Sequence, residues 1–497
     1  MPKTKKLKIV HIVSEVAPFS KTGGLGDVAR SLPKALRRLG HDVSIITPLY
    51  GKMINKKERN LKLIFQDVNL RLNSQEVVTV NFWQGYLMED LPVYFVECKK
   101  FFSKHKSLYG SGRENARFLV FNVAALKLMS LLKRQVDIIH CHDWQSGLVP
   151  YYLKTDFRYS KTLKKTKTIF TIHNLIFQFG HNWWEIPPEE KDYGRGRLPH
   201  IDDPKVEYIN FAKRAILSAD LINTVSEQYR KEIMTKKFGQ DLHRILKNRS
   251  RKLYGIINGI DYNTYNPEKD TSLHKVYEHN PTVYKAVNKK FLQKKIGLPE
   301  NSQTPMLCTT SRVTFQKGFN LIVKVMDDIL GLGVQLVFMG DGNQEYIQPI
   351  KKLQRRFPDK IVWLPFDQNI ETLLYAASDF FLLPSNHEPC GINQLIAMRY
   401  GCIPVVREIG GLQDTVEDFN PADRQGNGFT FKTEDPSMFY AAVIRALENY
   451  KHKRVWQGLV RRVMKQSNSW EIPAKKYVEL YQEALKNNRR PGTKIKK

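Results

Sequence analysis

With 497 residues the chain is too long for one ordinary hydrophobic core, so two domains are expected. Apolar residues make up 42% and aromatics 11%, which excludes a disordered chain, and the longest apolar runs fall far short of a membrane span. The net charge of +30 comes from lysines and arginines spread over both halves with no RNA-reading or zinc-finger motif beside them, so it reads as a basic solvated surface.

The amino end, MPKTKK, runs straight into strand-like LKIVHIV without a signal-peptide pattern. Five scattered cysteines lack CxxC spacing, which points to a reducing compartment, the cytoplasm, and against a structural zinc site. KIVHIV (8–13) is the first predicted strand, and SEVAPFSKTGGLGDV follows it. Gly24, Gly26 and Ala29 formally fit the G-x-G-x-x-A dinucleotide fingerprint. That fingerprint needs glycines directly after the strand, whereas here about ten residues intervene. The second strand, DVSIITP (42–48), ends in Thr47-Pro48 with no acidic residue for a ribose, so a nicotinamide site is set aside. The loop suits a diphosphate or a sugar. Its glycines allow close backbone approach, a helix starting at Asp27 offers free amides, and Lys21 adds a mobile positive charge. A structural turn with an incidental lysine is the alternative. Val28, Leu32, Leu36 and Leu39 are the predicted buried face of the helix, with a kink at Pro33.

ENARFLVFNVAALKLMSLL (114–132) has apolar residues at helical spacing. VDIIHCH (136–142), KTIFTIHN (167–174) and DLINTVS (220–226) read as buried strands, and this alternation implies a parallel sheet covered on both faces. His142 and Asp143 do not form a metal set, because no third ligand is in view in the sequence. YGIINGIDYNTYNP (254–267) reads as a hinge strand and linker, followed by a helix near 284–296. The second half repeats the pattern with strands at 305–311, 334–340, 360–365, 379–385 and 402–406 and a helix over FNLIVKVMDDIL. Three domain segments are expected: 1–262, 263–470, and a helix with a basic disordered tail over 471–497 that packs back on the first domain.

SRVTFQKGFN places Arg312 and Lys317 between a strand and a helix, where two positive charges suit a pyrophosphate; a solvated basic loop is the alternative. PSNHEPCGINQL puts Glu388 after the next strand and opens a helix at Gly391, whose amides suit phosphate. A carboxylate there suits sugar hydroxyls or a developing positive charge, or else simply the helix dipole. EIGGLQDTV is a further glycine turn into a helix.

KTGGLGDV, HCHDWQSGL, TIHNL, NTVSEQYRKEI, GIINGIDYNTYNP, SRVTFQKG, PSNHEPCGINQL and GGLQDTV together resemble the bacterial glycogen synthase and plant starch synthase family, in its order and over nearly the whole chain. The resemblance implies an α/β fold of two Rossmann-like parallel-sheet domains facing a cleft, the GT-B glycosyltransferase type. It implies transfer of glucose from ADP-glucose to the non-reducing end of an α-1,4-glucan such as glycogen, with retention of configuration. No metal or cofactor is implied beyond the nucleotide-sugar, and neither a membrane nor a nucleic acid is expected as partner. The alternatives are UDP-glucose as donor, another acceptor on the same architecture, or a binding protein on an inactive scaffold. By the resemblance, His173, Arg312, Lys317 and Glu388 are the catalytic group. Arg312 and Lys317 hold the diphosphate, Glu388 faces the glucosyl unit, and His173 lies under it. Lys21, Gly23, Gly24, Phe366, Cys390, Gly391, Ile392 and Asn393 would bind the donor, with Phe366 against the base. Asp27, Asp143 and Asn174 fall on the acceptor or sugar side. Three positions depart from patterns of related transferases: Ile396 where many others carry a second glutamate, Asp341 between the glycines of MGDGNQEY, and Gln145-Ser146 after HDW. The first favours the glycogen synthase group. The other two bear on donor-loop geometry and the acceptor side.

Overall fold

The run KIVHI forms β1 (Lys8–Ile12), buried at four of its five positions, in the middle of a nine-stranded sheet. This computed structural model describes residues 6–72, 76–104 and 107–486. The remaining strands of the sheet are β2 (Asp42–Pro48), β3 (Lys62–Leu72), β4 (Glu76–Met88), β5 (Leu91–Glu97), β6 (Ile138–His142), β7 (Lys167–Ile172), β8 (Leu221–Thr224) and β9 (Leu253–Gly255). Their order is β3-β4-β5-β2-β1-β6-β7-β8-β9. From β5 to β9 all pairings are parallel. The β3–β4–β5 edge is antiparallel and is a finding beyond the sequence reading. β3 is largely exposed, so it lacks the unbroken apolar run of a strand covered on both faces.

The helix after the opening loop, α1 (Gly24–Arg38), starts three residues before Asp27 and takes Gly24 and Gly26 into its first turn. Val28, Leu32 and Leu36 are buried as expected, and Pro33 lies inside the helix. Leu39 does not join that face: it sits past the last turn and is 38% exposed. The helix α2 (Glu114–Leu131) is buried on every side, including Glu114, Asn115, Arg117 and Asn122. Such burial is tolerable because the charges pair, with Arg117 Nη1 2.8 Å from Glu114 Oε1. The last described helix, Glu471–Lys486, packs on α1 and β7 and buries Tyr477 and Tyr481. The basic tail beyond it lies outside the described residues. These elements form one unit, made of the chain up to Val225, Arg230–Ile256, and the segment from Trp470 onward.

The second unit comprises Ser226–Tyr229 and Ile257–Ser469. Its strands are β10 (Met306–Thr310), β11 (Gln335–Met339), β12 (Ile361–Leu364), β13 (Phe380–Leu383), β14 (Ile403–Arg407) and β15 (Phe429–Phe431). They pair in the order β12-β11-β10-β13-β14-β15, all parallel. Five of the six coincide with predicted apolar runs. β15 has only three residues, too few to carry a periodicity signal. The helix Phe319–Gly331 buries Leu321, Ile322, Val325, Met326 and Ile329, the face that their spacing predicts. The helix Pro281–Lys295 begins where Asn280 Oδ1 accepts from the N–H groups of Thr282 and Val283.

Candidate active site

Each sheet reverses its strand order at its centre, between β1 and β6 in the first unit and between β10 and β13 in the second. Loops leaving the carboxyl ends of strands at such a reversal line the usual ligand crevice of an open parallel sheet. The residues singled out above fall on these loops or on their neighbours. Lys21, Gly23, Gly24 and Asp27 follow β1, Asp143 follows β6, and His173 and Asn174 follow β7. Arg312 and Lys317 follow β10, Phe366 follows β12, and Glu388 to Asn393 follow β13.

In the second unit two opposite charges meet. Lys317 Nζ stands 2.5 Å from Glu388 Oε2, and Ser385 Oγ donates to the same oxygen at 3.2 Å. Glu388 is only 6% exposed, so losing its ammonium would cost about 3–5 kcal/mol. The loop around it is held from several sides. Gly318, at φ +78°, turns the backbone under Lys317, and a side chain there would strike the Pro384 carbonyl. Gly410, at φ +46°, closes against the Glu388 carbonyl, which accepts from Gly411 N at 3.0 Å. Ser226 Oγ donates to Pro389 O at 2.6 Å, and the Tyr229 ring lies 5.3 Å from that of His387. Ser226 and Tyr229 therefore brace this loop. Burial pushes the His387 imidazole down to about 4, so it is neutral near pH 7.

Arg312 is exposed. Its loop is stitched to the glycine turn after β11: Val313 N donates to Asp341 O at 2.9 Å, and Asn343 N to Val313 O at 2.8 Å. Asp341 also takes the Phe366 N–H on Oδ2 at 3.4 Å, so this departing residue ties the Arg312 and Phe366 loops together. The Phe366 ring is 53% exposed, open to a planar partner. Cys390 is buried, and burial pushes its thiol up to about 12, so it is a neutral spacer. The Asn393 amide is committed to Thr310 O at 2.6 Å. Gly391 and Ile392 lead into the helix that Asn393 opens, Asn393–Arg399.

In the first unit the opening loop is pinned by Glu15, which the sequence reading passed over. Its buried carboxylate accepts from Thr22 N at 2.9 Å, Thr22 Oγ1 at 2.6 Å and Gly26 N at 2.9 Å. Burial raises its pKa, and these hydrogen bonds oppose the rise. An acidic residue in the apolar stretch SEVAPF was the available signal. Lys21 Nζ pairs with Asp27 Oδ2 at 2.8 Å, both partly exposed. Such a pair is worth about 0–1 kcal/mol, so Lys21 can leave it for a ligand at little cost. At Gly23 an added side chain would meet nothing in the protein, and the backbone is extended there. Neither packing nor conformation demands glycine at that position.

Asp143 Oδ1 accepts from His173 N at 2.7 Å, and its backbone sits at φ +53°, ψ 179°. Burial pushes its carboxyl up to about 7, against the N–H groups of His173 and Asn174 and with the charge of Glu15 adding to the rise. Asn174 Oδ1 accepts from Ile176 N at 3.2 Å. Burial likewise drives His173 down to about 3. The expectation of no third ligand beside His142 is corrected: ring nitrogens of His11, His140 and His142 lie within 4.8 Å of one another. His140 and His142 share β6, and His11, 129 residues earlier than His140, meets them only because β1 and β6 are neighbours.

Residues 8–248 match the family model described as starch synthase catalytic domain, and residues 289–458 match glycosyl transferases group 1. A glycogen synthase of Syntrophotalea carbinolica is 40% identical over 491 residues, covering 96% of this chain and 99% of its own. A glycogen synthase of Anoxybacillus flavithermus is 37% identical over 494 residues, covering 96% and 98%. Among solved structures, the catalytic domain of starch synthase IV from Arabidopsis thaliana, bound to ADP and acarbose, superposes with a TM-score of 0.86 at 35% identity, covering 97% of this chain and 100% of that one.

Proposed function

The chain belongs to the bacterial glycogen synthase and starch synthase family of GT-B glycosyltransferases, and from that premise we propose that it transfers glucose from ADP-glucose to the non-reducing end of an α-1,4-glucan with retention of configuration. The observation that carries this reading is the Lys317–Glu388 pair at the strand reversal of the second unit, with Arg312 on the adjoining loop. In the reaction the bond from the anomeric carbon to the diphosphate oxygen breaks, and a bond to the acceptor 4-oxygen forms. Negative charge grows on the departing ADP, and Arg312 and Lys317 stabilise it in place. Positive charge grows at the anomeric carbon, and the Glu388 carboxylate faces it. The acceptor's proton passes to the departing phosphate oxygen. Backbone N–H groups from Cys390 to Asn393 support the phosphate, and Phe366 stacks on the base. By family membership Lys21 and the Gly23-Gly24 backbone are assigned to donor binding, His173 to the donor sugar, and Asp27, Asp143 and Asn174 to the acceptor side. The reaction draws on no cofactor beyond its substrate. ADP bound to the starch synthase IV relative supports adenine as the base. All five cysteines are free thiols, which fits work in the reducing cytoplasm, and among the described residues no helix is long and apolar enough to cross a membrane.

The test is glucosyl incorporation into glycogen with ADP-glucose and UDP-glucose in parallel, for the native chain and Lys317→Ala. Turnover is expected with ADP-glucose, and a fall in kcat of about 10²–10³ in the variant. Turnover with UDP-glucose alone would overturn the choice of donor. Incorporation from neither donor, by folded protein, would overturn the activity.

A further inference from the structure

Four histidines line up across the first sheet: His11 on β1, His140 and His142 on β6, and His173 just past β7. All but His173 are fully buried. Two hydrogen bonds join three of them into a chain, His11 Nδ1 to His142 Nε2 at 2.9 Å and His142 Nδ1 to His173 Nε2 at 3.0 Å.

The fourth ring is fixed separately. His140 Nδ1 lies 2.8 Å from the Tyr481 hydroxyl, and His140 Nε2 lies 2.5 Å from Thr171 Oγ1. Thr171 Oγ1 in turn donates to Asn223 Oδ1 at 2.5 Å, an oxygen that can only accept. Thr171 has a single hydrogen, so it must accept from His140 Nε2–H, and His140 Nδ1 must accept from Tyr481. Both nitrogens of His140 are thus engaged. Two nitrogens on one tetrahedral zinc would stand about 3.3 Å apart. The 2.9 Å between His11 and His142 suits a shared proton better than a shared cation.

Within the three-ring chain the tautomers are not independent. Each neutral imidazole has one N–H, so both hydrogen bonds must run in the same direction. The His173 end is partly exposed and can be served by water or ligand either way. The His11 end cannot: Nε2 of that ring is buried and has no hydrogen-bond partner. Running toward His11, the chain would end in a buried, unpaired N–H. Running away from it, the chain leaves only a bare lone pair there. Buried donors without partners are the rarer defect, so the N–H groups run from His11 outward.

We propose that His11 is a positioning residue: with its proton on Nδ1 it sets His142 and then His173 as Nδ1–H tautomers, so that His173 offers an N–H donor to a hydroxyl of the donor glucose. This rests on the reading that His173 lies beside the donor sugar. With the opposite direction His173 would offer a lone pair, and the same hydroxyl would have to donate. The tautomer two rings away therefore decides which hydrogen bond the sugar makes.

The experiment is nitrogen-15 NMR of the full chain with labelled histidine, alongside incorporation kinetics, for the native protein, His11→Phe and His11→Asn. The native spectrum is expected to show His173 protonated on Nδ1. Phenylalanine removes the donor while filling the site and eliminating the unpaired nitrogen, so the fold should hold. His173 should then populate both tautomers, and kcat should fall about tenfold with the glucan KM unchanged. The asparagine amide can stand where Nδ1–H stood, and should restore the Nδ1–H signature and most of kcat. A native His173 protonated on Nε2, or an unchanged tautomer in His11→Phe, overturns the relay. Should the phenylalanine variant not fold, the native spectrum and the asparagine variant decide. A tautomer shift without any change in kcat leaves the relay standing and overturns the placement of His173 beside the sugar.

Discussion

Asp143 is unusual in both backbone and side chain. At φ +53°, ψ 179° it occupies a region that glycine alone visits readily, at a cost of about 1–3 kcal/mol. The side chain repays part of this by taking the His173 N–H. With a folded pKa of about 7 against about 3.9 when unfolded, the native state keeps a proton that the unfolded chain has lost. Its contribution to stability therefore falls as pH rises from about 4 to about 7, and is flat above. His11 and His173, both held to about 3 by burial, pull the other way: their contribution is lost as pH falls from about 6.5 toward 3. Asp143→Asn removes the first effect and leaves the second. In urea unfolding the variant should gain on the native chain by on the order of 3 kcal/mol between about pH 4.5 and 7.5. An equal offset at both pH values would refute the raised pKa.

The opening loop is the element where local chemistry and ligand chemistry separate most cleanly. Glu15 anchors the loop through backbone N–H groups, that of Gly23 included, while an added side chain at Gly23 would meet nothing inside the protein. Gly23→Ala should therefore change stability by less than about 0.5 kcal/mol, yet raise the donor KM or lower kcat if a ligand approaches that backbone. Full activity in the alanine variant would return the loop to a merely structural turn. The same contrast explains what was readable in advance. The strands of the second unit were nearly all legible because strands covered on both faces read as unbroken apolar runs. β3 and β4 were not, because half-exposed antiparallel strands lack that run, whereas β5 is a buried apolar run that the sequence reading left unassigned. Arg312, Lys317 and Glu388 were legible as strand-end charges, but their pairing was not, since it joins residues 71 apart. His11 is not singled out by any motif in the sequence, and its partners appear only once β1 and β6 are neighbours. The early start of α1 was hidden by its glycines, which signal a loop and here begin a helix.

At the scale of the whole molecule the first quantity to explain is the net charge of +30. A field of that sign raises the encounter rate of an anionic donor and is screened by salt. Raising ionic strength from about 0.05 to about 0.5 M should lower kcat/KM for the nucleotide-sugar several-fold while leaving kcat at saturation unchanged. A flat response would mean that the charge is too diffuse to steer. Chain order is the second. The first unit is built from both ends of the sequence: its sheet begins at Lys8, yet Tyr481, which donates to His140 Nδ1, arrives with the last helix. The stretch Ile257–Ser469 is continuous within the second unit. A ribosome therefore releases everything the second unit needs before it has finished the first. The β6–β7 part of the nascent amino-terminal sheet must therefore wait, with His140 and its neighbours uncovered, until the helix Glu471–Lys486 emerges, and over that interval of translation the first unit exposes apolar surface that the finished fold buries.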